Sequence, residues 1–204
     1  MRLSSLILAT KNIGKLKEAK RILEPYGIVV KLPEKDIHIE EEGCSFLENA
    51  YLKADAYYNV YSVPILAEDA GLEVDCLGGY PGIYSSRFYS IDYGGTEEIK
   101  DSVDETNIRK VLRLTANAKD RSARFVSFFV LHMGDGGYWS RGECKGKILK
   151  EPAGEGGFGY DPIFSPEGFN VSLAQLKPED KDKVSHRGKA LRSLMNIIKN
   201  GGLL

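Results

Sequence analysis

The segment Gly154-Glu155-Gly156-Gly157-Phe158-Gly159-Tyr160-Asp161-Pro162-Ile163-Phe164 sets the rings of Phe158 and Tyr160 and the Asp161 carboxylate on a glycine-rich backbone ahead of its apolar end. Glycine fits where another body must come close or φ must be positive, and an aromatic face beside it offers a flat stacking surface. Such a loop suits a nucleobase; a surface hairpin is the other reading, because glycine-rich turns are common. Gly154, Gly156 and Gly159 also spell G-x-G-x-x-G, but a dinucleotide fingerprint needs a helix directly after it. Pro162 lacks an N–H and turns Asp161 toward extended geometry, so the loop is expected to lead into a short strand-like run at Ile163-Phe164.

Three other places carry candidate chemistry. Glu68-Asp69-Ala70-Gly71 reads as a buried strand running into a glycine turn with two adjacent acids. Period-two geometry sends their side chains to opposite faces. With Glu40 to Glu42 upstream there are enough carboxylates to hold a hard cation such as Mg²⁺, and solvated acids at a turn are the plainer alternative. Thr10-Lys11-Asn12-Ile13-Gly14-Lys15 is a strand-to-helix junction. Open N–H groups there attract phosphate, and a lysine one turn in adds a point charge; a simple capped helix start is the competing reading. It is not a Walker A loop, which needs G-x-x-x-x-G-K-[ST]. Lys181-Asp182-Lys183-Val184-Ser185-His186-Arg187-Gly188-Lys189 is a cationic junction with His186 among polar residues, whereas His38 and His132 sit in apolar alternation as core or surface histidines. No G-x-S-x-G elbow or Cys-centred signature draws His186 into a nucleophilic triad.

The elements that must hold these groups alternate between strand and helix. A strand over 6–9 leads to a helix from about 15 to 24 that Pro25 and Gly27 end, followed by a strand over 28–32. Ser45 and Glu48 form a capping box for a helix with Phe46, Ala50, Ala54, Tyr57 and Tyr61 on one face. Buried strands follow at 65–67 and 72–77, and a hairpin pairs 124–132 with 138–145 through Gly134-Asp135-Gly136-Gly137. Of two closing helices, one begins near Pro178; the other carries Leu191, Leu194, Met195 and Ile198 and stops at Asn200-Gly201. The expected class is α/β with a mixed sheet.

At 204 residues and 42% hydrophobic, the chain is expected to form a single domain, 1–204, a length also compatible with two lobes about a cleft. Lys and Arg total 28 against 29 Asp and Glu, so no overall basic field exists to bind nucleic acid. No apolar run reaches membrane-spanning length, and the first ten residues are too short for a signal sequence, which gives a cytoplasmic reading with no membrane partner. Cys44, Cys76 and Cys144 are odd in number and widely separated, against both a disulfide framework and a zinc site.

Taken in order, Thr10 to Lys15, Phe46-Leu47-Glu48-Asn49-Ala50 with Lys53-Ala54, Leu77-Gly78-Gly79-Tyr80-Pro81-Gly82, Phe158-Gly159-Tyr160-Asp161 and Ser185-His186-Arg187 give the chain its family likeness. The sequence resembles the noncanonical purine nucleoside triphosphate pyrophosphatases, the inosine/xanthosine triphosphatase family, over nearly its whole length. The resemblance implies an elongated mixed sheet with flanking helices and two lobes around a central nucleotide-binding cleft, usually in a homodimer. It implies Mg²⁺-dependent hydrolysis of ITP, dITP and XTP to the monophosphate and pyrophosphate. Asp69 would match the proton acceptor and a metal ligand, and Glu41 the second metal carboxylate. Lys15, Lys53 and Lys181 would bind the phosphate chain, with Asn12 and the N–H groups of Thr10, Lys11, Ile13 and Gly14 positioning it. Phe158 would stack on the base within the Gly159-Tyr160 loop, while Asp161, His186 and Arg187 would read its edge. The family pattern Asp-Asp-Ser-Gly is Glu68-Asp69-Ala70-Gly71 here. Ala70 therefore offers only its backbone N–H to substrate, and the longer Glu68 either shifts the metal shell or is structural. A nucleotide sensor without turnover is the rival from another class, and Asp69 argues against it. A pyrophosphatase for modified pyrimidine nucleotides is the second, which His186 and Arg187 disfavour.

Overall fold

The structure is a computed structural model that describes residues 2–35, 37–39 and 42–204. β1 (Ser5–Leu8) alternates half-buried and buried positions, with Leu6 and Leu8 in the core. α1 (Ile13–Leu23) starts earlier than expected, because Asn12 is its cap: the Asn12 side chain accepts the Lys15 N–H at 3.1 Å. A 3₁₀ turn, Glu24–Tyr26, follows, and the chain leaves it through Gly27 at φ 78° into β2 (Val29–Lys31). α2 (Phe46–Tyr61) opens at Ser45, whose hydroxyl accepts the Glu48 N–H at 3.2 Å. The Glu48 carboxylate reaches back to the Cys44 N–H at 2.8 Å rather than to Ser45, a one-residue shift of the expected box. Phe46, Ala50, Ala54 and Tyr57 are buried as their spacing predicts, and the Tyr61 hydroxyl bonds the Lys35 backbone.

β3 (Ile65–Val74) corrects the expected pair of strands at 65–67 and 72–77. It is one strand of 10 residues, so Glu68-Asp69-Ala70-Gly71 lies inside it and not in a glycine turn. Ile65, Leu66, Ala67, Leu72 and Val74 are wholly buried on either side of Gly71, and that burial outweighs the turn preference of one glycine. Residues 75–77 form a 3₁₀ turn instead of strand.

A run of 3₁₀ turns, Gly82–Ser90, leads to α3 (Val103–Leu114), a helix absent from the expected set. Its cap is Ser102, accepting the Glu105 N–H at 3.1 Å. Lys110 on α3 is fully buried, donating to the carbonyls of Phe88 at 2.9 Å and Ile91 at 2.5 Å, over the Phe88 ring at 4.4 Å. β4 (Ser122–His132) and β5 (Gly137–Ile148) form the expected hairpin with longer arms, turning through Gly134 at φ 91° with a Met133 N–H to Gly136 carbonyl bond of 2.9 Å. β6 (Phe164–Pro166) and the two closing helices, α4 (Pro178–Val184) and α5 (His186–Asn200), complete the chain.

The strand order is β2-β1-β3-β4-β5-β6. β1 runs parallel to β2 and β3, and β6 antiparallel to β5, so the sheet is mixed and the class is α/β as expected. The chain divides into two compact units. Unit 1 comprises Met1–Asp69, Ser127–Glu143 and Ser185–Leu204; unit 2 comprises Ala70–Val126 and Cys144–Val184. In unit 1 one cluster joins Leu6, Leu23, Leu131 and Leu194, and a second joins Ala54, Tyr57, Ile65 and Val130. In unit 2 Leu72, Phe88, Val111, Ile163 and Phe164 form the centre. Among the described residues no helix is long and apolar enough to cross a membrane.

Candidate functional site

In unit 1 the β1-to-α1 connection, α2 and β3 surround a cavity of about 380 Å³. Thr10, Lys11, Asn12, Lys15, His38, Lys53, Tyr57 and Glu68 contribute polar groups to its wall. Lys15 is placed by the Asn12 cap, with Ile13 and Gly14 completing the first helical turn. Lys53 comes one turn after Asn49 on α2, and its ammonium donates to the Glu68 carbonyl at 3.2 Å. Lys11, Lys15 and Lys53 give the wall of this cavity a cationic character.

The two adjacent acids of β3, Glu68 and Asp69, part ways, as strand alternation requires. The Glu68 carboxylate takes Lys15 at 2.9 Å, the Ser127 hydroxyl at 3.0 Å and Arg187 Nε at 2.7 Å. Burial alone pushes the Glu68 carboxyl up, but Arg187 and Lys15, with His186, outweigh it and hold the group far below the usual carboxylate range. Glu68 is thus a fixed negative charge, the counter-ion of two cations. Asp69, 8% exposed, instead accepts the Asn49 side-chain N–H at 3.1 Å. The same carboxamide accepts the Gly43 N–H at 2.8 Å, which fixes which end of Asn49 faces Asp69.

His186 and Arg187 open α5, where the Ser185 hydroxyl accepts the Gly188 N–H at 3.1 Å. The first turn of this helix lies against β5 at Gly142, where any Cβ would collide with the His186 carbonyl oxygen. Both side chains are buried, His186 at 1% exposure and Arg187 at 8%, and His186 remains among charged groups, close enough to Glu68 to help hold that carboxylate ionised. Besides Glu68, Arg187 faces Glu18 at 3.8 Å.

In unit 2 the glycine-rich segment is a loop shaped by its own carboxylate. Gly154, Gly157 and Gly159 have φ of 84°, 76° and 60°, and a Cβ at Gly157 would strike the Asp161 carboxylate. Asp161 Oδ2 accepts the Phe158 N–H at 2.9 Å and the Lys181 ammonium at 2.7 Å. Lys181 also stands 5.0 Å from the centre of the half-buried Phe158 ring. The second ring, Tyr160, is core: it is 4% exposed and its hydroxyl donates to the Ser85 carbonyl at 2.8 Å. Burial pushes its phenol well above the ordinary value, and the Asp104 carboxylate adds to this. One aromatic face, that of Phe158, is therefore the candidate stacking surface. A 3₁₀ turn, Asp161–Ile163, separates the loop from β6, because Pro162 suits the start of a helical turn as well as an extended run.

The structure thus gathers Thr10 to Lys15, Lys53, Asp69, His186 and Arg187 in unit 1, and Phe158 to Asp161 with Lys181 in unit 2; Ala70 follows Asp69 on β3 as the first residue of unit 2. Glu41 lies outside the described residues. Among the described residues no three His, Cys, Asp or Glu side chains come together as a cation cage. Mg²⁺ keeps several waters and takes one or two carboxylates with substrate phosphates, so Asp69 beside the Asn49 carboxamide fits an ion that arrives with a nucleotide. The sequence alone assigns no site role to Asn49, named only within its motif, or to Ser127, which fix the acids, and it places His38 in the core or surface and Tyr57 on an apolar face, whereas both line the cavity. Asn49 and Tyr57 lie on a helix whose spacing was legible; Ser127 has no local signal.

Residues 6–197 match the Ham1 family. The chain is 55% identical to the dITP/XTP pyrophosphatase of Aquifex aeolicus over 195 residues, 96% of each chain. It is 39% identical to that of Escherichia coli K12 over 207 residues, 98% of this chain and 100% of the relative. Among solved structures it resembles the Staphylococcus aureus Ham1 protein, with a TM-score of 0.81 at 35% identity over 97% of this chain and 99% of that one. The HAM1 protein from Coxiella burnetii gives 0.82 at 33% identity over 97% and 100%. With its mixed sheet, its lysine-lined cavity and a match that spans most of its length, the chain belongs to the Ham1 family.

Proposed function

We propose that the protein hydrolyses noncanonical purine nucleoside triphosphates, ITP, dITP and XTP, to the monophosphate and pyrophosphate, removing damaged purines from the nucleotide pool. The observation that carries this reading is near-complete alignment with a relative named dITP/XTP pyrophosphatase at 55% identity. The chemistry of the site supports it. Lys11, Lys15 and Lys53 offer charge to a phosphate chain. Asp69 is ready to accept a proton from the water that attacks the α-phosphorus, its carboxylate oriented by Asn49. Phe158 offers a stacking face to the base, and Lys181 a cation beside it. His186 and Arg187 supply donors that suit the O6 of a 6-keto purine and leave adenine badly matched.

Asp69 and Glu41 would hold Mg²⁺, which when bound supplies the positive charge that lets a triphosphate lie beside carboxylates and orients the leaving pyrophosphate. A homodimer and a cytoplasmic location belong to the same reading, resting on the family resemblance, and gel filtration and cell fractionation test them. The enzymatic assay is phosphorus NMR of the protein with ITP, XTP, ATP and a pyrimidine triphosphate in Mg²⁺. Pyrophosphate appearing first from ITP and XTP is the expected result. Orthophosphate as the first product, or unchanged nucleotide throughout, would overturn the reading.

A further inference from the structure

We propose that Asp104, which lies in none of the motifs above, is a positioning residue for the stacking loop: its carboxylate holds Gly159 so that the Phe158 ring stays presented to the base. This rests on the proposed function. Three consecutive loop residues are each tied to a different anchor. The Phe158 N–H goes to Asp161 at 2.9 Å, the Gly159 N–H to Asp104 at 2.8 Å, and the Tyr160 hydroxyl to the Ser85 carbonyl at 2.8 Å. Asp161 belongs to the loop itself, so it moves with what it holds. Asp104 stands 55 positions away in the first turn of α3.

That helix is a firm base. Ser102 caps it, Asn107 bonds the Tyr89 N–H at 2.7 Å and the Ser86 carbonyl at 3.2 Å, and Lys110 holds the carbonyls of Phe88 and Ile91. The held residue is the one most in need of holding. Gly159 has φ 60° and no Cβ, so with its N–H released it has more alternative conformations than any other residue type. A bond from a backbone N–H to a carboxylate is charge-assisted and worth more than a neutral one. An aspartate in a helix's first turn also favours that helix through the backbone dipole, a purely structural role that leaves Phe158 unaffected.

The test separates the two roles. Steady-state kinetics are measured with ITP and ATP for Asp104→Ala, Asp104→Asn, Phe158→Ala and the Asp104→Ala/Phe158→Ala double variant. Asp104→Ala is expected to raise KM about 10-fold for both nucleotides with kcat within about twofold, inside the roughly 5- to 160-fold span expected for loss of a base–aromatic stack. Asp104→Asn keeps the acceptor and should restore most of the loss. The double variant should be no weaker than Phe158→Ala alone, because both changes remove the same contact. Additive losses, or a fall in kcat at unchanged KM, overturn the proposal. Amide hydrogen exchange supplies a readout independent of turnover: Asp104→Ala should speed exchange at Gly159 and Phe158 and leave the interior of α3 unchanged. Gly159 exchange at the wild-type rate would also overturn it. If the wild-type protein fails to hydrolyse ITP, the functional reading fails while the exchange experiment still decides whether Asp104 holds the loop.

Discussion

Each unit carries a buried carboxylate paired with a lysine, Glu68 with Lys15 at 2.9 Å and Asp161 with Lys181 at 2.7 Å, and the two pairs do different work. Glu68 draws its partners from three elements: Lys15 from α1, Ser127 from β4 and Arg187 from α5. Asp161 draws on Lys181 and on the N–H of Phe158 in its own loop. The same ion-pair chemistry thus fixes how helices meet a strand in one place and gives a glycine-rich backbone its shape in the other. What a buried charge contributes depends on what its partners are attached to.

The sharpest way to break the comparison lies one residue from Glu68. Asp69→Asn should lower turnover of ITP by about 10²- to 10⁴-fold, the range for losing a general base, while urea unfolding stays near wild type. Unchanged turnover would move the base to another residue. Glu68→Ala should do the reverse in kind, costing about 3–5 kcal/mol of stability by leaving Lys15 and Arg187 without their counter-charge; urea denaturation measures it. Asp161→Ala should cost about 1.5–3 kcal/mol, the scale of a hydrogen bond to a charged group, because a freed loop lets Lys181 hydrate. Equal losses from Glu68→Ala and Asp161→Ala would erase the distinction.

The pH dependence sharpens it further. The folded pKa of Glu68 is depressed, so its stabilisation is fully present above the unfolded value of 4.5 and is lost as pH falls toward the much lower folded value. The stability gap between wild type and Glu68→Gln should therefore be constant from neutral pH down to about 4.5 and narrow below it. A gap that widens in acid would mean the charge is unfavourable. The smallest effect is expected where the pair is exposed: Lys20 and Glu24, 3.8 Å apart on α1 and its C-terminal cap, should yield under about 0.5 kcal/mol on Lys20→Ala.

Much of this architecture could be read from residue order, and the failures have physical causes. Ser45 with Glu48, Gly134 in the hairpin and the apolar spacing of α5 are local signals, and each led to its element. Gly71 misled because a turn preference is a local quantity, whereas the burial of Leu66 and Leu72 that keeps β3 continuous comes from neighbours far along the chain. α3 was overlooked although Ser102 and Glu105 carry a capping signature, since charges dilute its apolar face. At the site, the lysines of the cavity and the Phe158 loop were legible as residue types. The engagement of Arg187 with Glu68, and of Gly159 with Asp104, was not, because contacts across 119 and 55 positions leave no trace in spacing.

Lys110 has one more consequence. An amine-reactive reagent attacks only a neutral, accessible amine, and in the native state this nitrogen is enclosed and engaged with two carbonyl oxygens. Acylation at Lys110 therefore proceeds only from molecules in which the Gly82–Ser90 segment and its exit have come away from α3, whereas the exposed Lys147 and Lys199 react at once. Followed by mass spectrometry, the modification of this single lysine becomes a clock for the opening of unit 2, set by the protein's own breathing.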